Sequence, residues 1–213
     1  MTNIATNEKR VDGAALEEKV KAMYRAVAMQ PEGEFHFEMG RALAERLGYA
    51  PADLDAVPAK AIQSFAGVGY YFDLAGIESG ETVVDLGSGS GMDSFIAALK
   101  VGAAGAVVGI DMTDEQLDKA EALRLAGGVA NVSYRKAYIQ STGLGHGSCD
   151  ATLWAACIGG AMQIDNYVAA IESAGLRVSQ LRDNPQYQFI SGNAQGAARK
   201  YGVKSVSLIA VRN

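Results

Sequence analysis

Three glycines spaced two apart, Gly87, Gly89 and Gly91, with Ser88 and Ser90 between them and Asp85 just ahead, are the residues best placed to do chemistry. They follow the apolar pair Val83 and Val84 and are answered, after a helix-length gap, by Val107-Val-Gly-Ile-Asp111. A glycine turn between a strand and a helix lets the backbone approach a ligand closely. A carboxylate ending the next strand accepts hydrogen bonds from two ribose hydroxyls. The pattern predicts a nucleoside site in which Asp111 is the ribose acceptor.

Such a site needs a strand, a turn, a helix and a second strand around it. Residues 82–86 read as a β-strand, 91–101 as a helix and 105–110 as the second strand, by apolar run and glycine punctuation. Thr113 followed three residues later by Gln116 matches a capping box opening a helix over 114–125, and 132–136 reads as a third strand. The fold class is therefore α/β, with right-handed crossovers and a parallel sheet whose ligand lies at the carboxyl ends of the strands, where Gly87, Asp111 and Tyr138 fall. Ahead of this unit the chain is helical: residues 13–29 keep a helical period, 35–47 end at Gly48, 51–54 form a helical turn, and 58–72 form a helix broken near Gly67 and Gly69. Two regions result, a helical cap over residues 1–75 and an α/β region over 76–213. A glycine- and serine-rich loop runs to Asp150, and after it a helix over 164–174, a strand over 177–181, a helix over 196–200 and a terminal strand over 205–211 complete the reading.

Composition narrows the function classes. The net charge is −5 with no basic cluster, which excludes a nucleic-acid substrate, since phosphate binding needs a concentrated cationic face. No apolar run reaches membrane-spanning length, so a cytoplasmic protein with no membrane partner is expected. The two cysteines, Cys149 and Cys157, form no C-x-x-C pair and read as reduced thiols; the two histidines, His36 and His146, are too far apart to suggest a metal, and no metal site is expected.

The even G-x-G-x-G spacing departs from the dinucleotide pattern G-x-G-x-x-G and argues against a pyrophosphate-bearing cofactor. With Asp85-Leu-Gly-Ser-Gly-Ser-Gly91, Gly109-Ile-Asp-Met-Thr-Asp-Glu-Gln116, Ala137-Tyr-Ile-Gln140 and Leu153-Trp-Ala-Ala-Cys-Ile-Gly-Gly-Ala161 in order, the chain resembles the arsenite methyltransferase family of class I S-adenosylmethionine-dependent methyltransferases. The resemblance implies a Rossmann-like fold, S-adenosyl-L-methionine as cofactor and a small-molecule methyl acceptor. It implies that Asp85, Gly87, Ser88, Gly89 and Gly91 form the cofactor turn, with Asp85 or Asp93 tolerated beside the sulfonium. Asp111 would bind the ribose, Met112 and Ile139 would flank the adenine, and Gln140 would stand where the family carries an acid. Cys157 matches a thiol that holds trivalent arsenic in the family, or it packs as a small hydrophobe beside two glycines. Tyr70, Tyr71 and Cys149 are the other acceptor-side candidates.

Two departures from the family pattern bear on activity. Where relatives carry a cysteine between glycines, this chain reads Gly67-Val68-Gly69, which removes one soft ligand. The segment that carries the fourth and fifth core strands in the family is missing between Asp150 and Ala151, so the central sheet is expected to be truncated and the first strand left with an unpaired edge. A deletion, a skipped stretch of sequence, or a homodimer that completes the sheet would each account for this. In the first case the terminal strand over 205–211 would slide in beside the first. Two function classes remain open on sequence: a methyltransferase with an altered acceptor, and a cofactor-binding protein with lost or remodelled catalysis, in which non-methylating cofactor chemistry is included.

Overall fold

A computed structural model describes residues 13–139, 141–145, 147–154, 164–173, 176–190 and 192–212. The elements run α1 (Gly13–Met29), α2 (Gly40–Leu47), α3 (Pro51–Asp55), α4 (Ala59–Gln63), α5 (Phe72–Ala75), β1 (Thr82–Leu86), α6 (Met92–Val101), β2 (Ala106–Asp111), α7 (Asp114–Gly127), β3 (Val132–Lys136), β4 (Ala151–Trp154), α8 (Ile164–Ser173), β5 (Leu176–Asp183), α9 (Gly192–Tyr201) and β6 (Val206–Arg212). Four strands form a parallel sheet in the order β3-β2-β1-β4, and β5 pairs antiparallel with β6 in a separate sheet.

The sheet forms because its central strands are apolar on both faces. Val83, Val84 and Val107 are buried, as parallel strands covered by helices require. α6 is buried nearly all round, with Phe95, Ile96, Ala97 and Val101 inside. The cap helices join the same core: Leu43, Leu47, Tyr49 and Phe72 pack in one cluster with Val83, Ile96 and Leu153. Each fully buried aliphatic side chain here contributes about 1.5–3 kcal/mol. Among the described residues no helix is long and apolar enough to cross a membrane.

The sheet corrects several expectations. β1 has no open edge, because Ala151–Trp154 lies parallel beside it, Val83 opposite Ala151 and Leu86 opposite Trp154. A reciprocal backbone clip fixes this register: the Asp150 N–H donates to the Thr82 carbonyl at 2.8 Å, and the Thr82 N–H donates to Asp150 Oδ2 at 2.8 Å. The terminal strand therefore does not slide in beside β1; it pairs with β5 instead. In the cap, α2 begins at Gly40 rather than at residue 35, since Met39 is extended and Gly40 has φ +81° with its N–H on the Phe65 carbonyl. The stretch 58–72 holds only α4 and the start of α5, separated by an irregular segment. Ser205 and Ser207 reach back from the β5–β6 unit to the carbonyls of Val68 (2.5 Å) and Tyr70 (3.1 Å), so that segment is held by side chains instead of helical bonds.

Candidate cofactor site

The glycine turn is shaped by backbone geometry that only glycine adopts without strain. Gly87, Gly89 and Gly91 have φ of +80°, +52° and +90°. The N–H groups of Gly87 and Ser88 both donate to the Ile110 carbonyl, at 2.7 and 3.0 Å, which ties the turn to the end of β2. Tyr134, on β3, lies across the turn from the far side. A Cβ at Gly91 would overlap its hydroxyl, and one at Gly109 would sit 2.6 and 2.7 Å from its ring carbons. Gly91 and Gly109 are thus glycines because a tyrosine ring fills the space a side chain would need.

Asp111 stands at the carboxyl end of β2 and links the two loops of the site. Its Oδ2 accepts the Gly89 N–H at 3.0 Å and its Oδ1 accepts the Thr113 N–H at 2.8 Å. A carboxylate has about four acceptor positions, so each oxygen retains capacity for one more donor. That is what two adjacent ribose hydroxyls supply. Burial raises the Asp111 carboxyl above the usual range, opposed by these backbone donors.

Two further carboxylates lie beneath the turn. Asp85, 2% exposed, accepts from Ser94 Oγ at 2.6 Å. Asp93, in the first turn of α6, accepts from the hydroxyls of Tyr49 (2.7 Å) and Tyr71 (2.5 Å). Burial, and for Asp85 also the neighbouring Asp93 charge, pushes both carboxyls up. The same burial and the adjacent Asp93 charge hold the Tyr49 and Tyr71 phenols protonated. None of the three aspartates forms an ion pair with a described residue. A buried carboxylate cluster without a protein cation favours a cationic ligand.

Other sequence-predicted residues divide into those the fold gathers and those it does not. Asp85, Gly87, Ser88, Gly89, Gly91, Asp111 and Met112 converge at the carboxyl end of β1 and β2, and Ile139 follows β3 at the same end. Cys149 does not join them: it precedes β4, at the amino end of the sheet, with its Sγ 3.5 Å from Thr152 Oγ1. At about 3.3 Å per strand residue, β1 alone puts it some 15 Å from the turn. Gln140 and Cys157 lie outside the described residues. The capping box is not formed: Thr113 makes no side-chain cap, its buried Oγ1 has no partner, and Gln116 turns inward to other elements. The Tyr49 and Ser94 contributions were not read from sequence; the signal available was an acid in the first turn after the glycines, a position that must find donors when buried.

A cationic nucleoside fits what is present. The left-handed glycines open the turn on the side of Gly89, where a Cβ would meet nothing closer than Gln116 Oε1 at 3.7 Å. Thr113 Oγ1, two residues from Asp111, is a buried hydroxyl still lacking a partner. The two cavities of about 300 and 500 Å³ lie away from this turn, one beside Gly40 and Arg41 and the other between Tyr70 and Arg182.

Comparison with known proteins agrees with this geometry. Residues 77–174 match a family described as a methyltransferase domain. The chain is 43% identical over 91 residues to the arsenite methyltransferase of Halobacterium salinarum, which covers 43% of this chain and 23% of that protein. It is 49% identical over 75 residues to the arsenite methyltransferase of Aquipseudomonas alcaligenes, covering 32% of this chain and 22% of that one. The matched stretches thus span under a quarter of these relatives' length. Among solved structures, an arsenic(III) S-adenosylmethionine methyltransferase from Chlamydomonas reinhardtii superposes with a TM-score of 0.51 at 19% identity, covering 83% of this chain and 75% of that chain. The fold is the Rossmann-like class I methyltransferase fold.

Proposed function

We propose that this relative of the arsenite methyltransferases is an S-adenosylmethionine-dependent methyltransferase acting on a small molecule. The observation that carries the reading is Asp111, whose two oxygens each hold one loop of the site and each keep capacity for a ribose hydroxyl. When bound, the cofactor supplies an electrophilic methyl group on a sulfonium. The chain's own residues bind and orient. Asp85 and Asp93 provide a negative field for the cationic end, Gly87 to Gly91 let the backbone approach, and Met112 and Ile139 flank the adenine. In-line displacement at a methyl group asks the protein mainly to align the acceptor and exclude water, and the cap helices packed on the same core supply that cover.

On the acceptor side, Tyr71 is committed to Asp93, and the Tyr70 carbonyl is held by Arg182 and Ser207. Cys157 is the soft residue of the proposal, and with Val68 in place of a second thiol the acceptor is a small molecule that one thiolate suffices to hold. A cytoplasmic setting belongs to the same reading, because such a thiol must stay reduced to act. So does a homodimer at the outer edge of β4, which is unpaired among the described residues; sedimentation as a monomer at all concentrations would exclude it.

Calorimetric titration with S-adenosylmethionine tests the core of this proposal. Asp111→Ala removes two charge-assisted acceptors worth about 1.5–3 kcal/mol each, so affinity should fall at least 100-fold. Unchanged affinity would remove Asp111 from the site. Cys157→Ser should leave cofactor affinity intact and abolish methylation of a thiol-bound acceptor; if methylation persists, Cys157 is packing.

A further inference from the structure

Gln116 is 2% exposed, polar, and not used by any step above. Its Oε1 accepts from Ser90 Oγ, inside the glycine turn, at 2.5 Å. Its Nε2 donates to the Tyr24 carbonyl of α1 at 2.9 Å, across 92 positions of sequence. One amide therefore joins the cofactor turn, α7 and the cap helix α1.

The rest of α1 follows the same line. Arg25 pairs with Glu115 at 2.5 Å, and Lys119 Nζ donates to the Ala28 carbonyl at 3.1 Å, so Tyr24, Arg25 and Ala28 run alongside Gln116, Glu115 and Lys119 of α7. Toward its other end, Lys21 Nζ donates to the Tyr138 hydroxyl at 2.8 Å, and that hydroxyl donates to Glu17 Oε1 at 2.7 Å. Tyr138 follows β3 and precedes Ile139, while Glu115 and Gln116 follow Asp111. α1 thus reaches from one segment framing the nucleoside site to the other. The clasps at its outer positions involve exposed charges, which hold weakly in water. The Gln116 amide is buried, and its two hydrogen bonds are costly to leave unmade.

Resting on the proposed cofactor reading, we infer that Gln116 is a positioning residue that couples the glycine turn to α1, so that filling the turn secures the helix over the site. The residue acts through Ser90 on one side and the Tyr24 backbone on the other. A ligand that orders the turn fixes Ser90, which fixes the amide and with it the carbonyl of α1. By linkage, α1 docking strengthens cofactor binding by the same factor.

The test is amide hydrogen exchange of residues 17–29 with and without saturating S-adenosylmethionine, paired with calorimetry of the same samples. In the wild-type chain the cofactor should slow exchange in α1 at least fivefold. Gln116→Met, similar in volume, should lose that response and bind the cofactor about tenfold more weakly. Ser90→Ala cuts the link from the turn side alone while leaving the Tyr24 bond in place, and should give the same loss of response; it carries the test if Gln116→Met does not fold. Binding in the wild type with no change in α1 exchange, or an undiminished response in Ser90→Ala, overturns the coupling and leaves the cofactor reading standing. Absence of cofactor binding in the wild type overturns both.

Discussion

Substituting Gly91 by alanine perturbs the turn in two separable ways. At φ +90° an L-residue is strained, by roughly 1–2 kcal/mol. The added Cβ also overlaps the Tyr134 hydroxyl and approaches its Cζ to 3.1 Å. The ring cannot simply swing aside, because its other edge already lies where a Gly109 Cβ would be 2.6 Å away, and it packs on Phe95 with centroids 6.4 Å apart. Overpacking of this kind costs about 1–3 kcal/mol. The total, roughly 2–5 kcal/mol, corresponds to a loss of about 5–15 °C in Tm for a chain of this size. Urea unfolding of the wild type, Gly91→Ala, Tyr134→Phe and the double variant separates the two terms. The Tyr134 hydroxyl is buried near Ser94 but makes no hydrogen bond, so Tyr134→Phe alone should be nearly neutral. In the double variant the hydroxyl overlap is gone, and about 1–2 kcal/mol of the loss should return, leaving the backbone strain. Additive costs in the double variant, or a Gly91→Ala protein as stable as the wild type, would refute this account of the turn.

Three further outcomes follow from contacts elsewhere. Asp85 and Asp93 have carboxyls raised by burial, so the folded state holds their protons more tightly than the unfolded state does; the stability this confers is complete below about pH 4 and is lost as pH rises through the elevated values. Asp85→Asn, which can still accept from Ser94, should therefore stabilise the cofactor-free protein by about 1–2 kcal/mol at pH 8 and little at pH 5, read from urea midpoints; an equal effect at both values would contradict it. Arg182 bonds the Asp73 carboxylate at 2.5 Å and the Tyr70 carbonyl at 2.6 Å, and Arg182→Met should cost about 1 kcal/mol, since the pair is partly solvated, with proteolysis between residues 64 and 73 rising accordingly; unchanged cleavage there counts against a tether. Lys119 serves the end of α1 through Ala28 and donates to Ser64 Oγ at 2.7 Å; Lys119→Met should speed exchange of the last turn of α1 about five- to tenfold, a loss of roughly 1 kcal/mol, and an unaltered rate would show that packing alone holds that turn.

The local part of the fold was legible because its signals are local. Apolar runs bounded by glycine gave β1 at its observed limits, Thr82–Leu86, and β3 at Val132–Lys136. Their parallel pairing follows from the helices between them. What sequence could not reveal were choices between a local and a distant partner. Thr113 and Gln116 have capping-box spacing, yet Gln116 bonds Ser90 and the Tyr24 carbonyl, since those buried groups lack other means of satisfaction. Ala151–Trp154 is four residues long, too short for a period to show, and it is placed beside β1 by Asp150, whose side chain reads as an ordinary loop acid. Cys149 looked like a site residue by type alone; only the direction of β4 shows that it sits at the other end of the sheet.

The reciprocal bond pair between Asp150 and Thr82 has a consequence for how this chain tolerates change. It sets the alignment of β4 at the strand's first residue, before any later residue is reached. Insertions or deletions beyond Trp154 can alter the second half of the molecule without sliding β4 against β1 and so without disturbing Gly87 to Gly91. The nucleoside-binding half behaves as a module locked at its own border, and the acceptor half is free to be exchanged behind it.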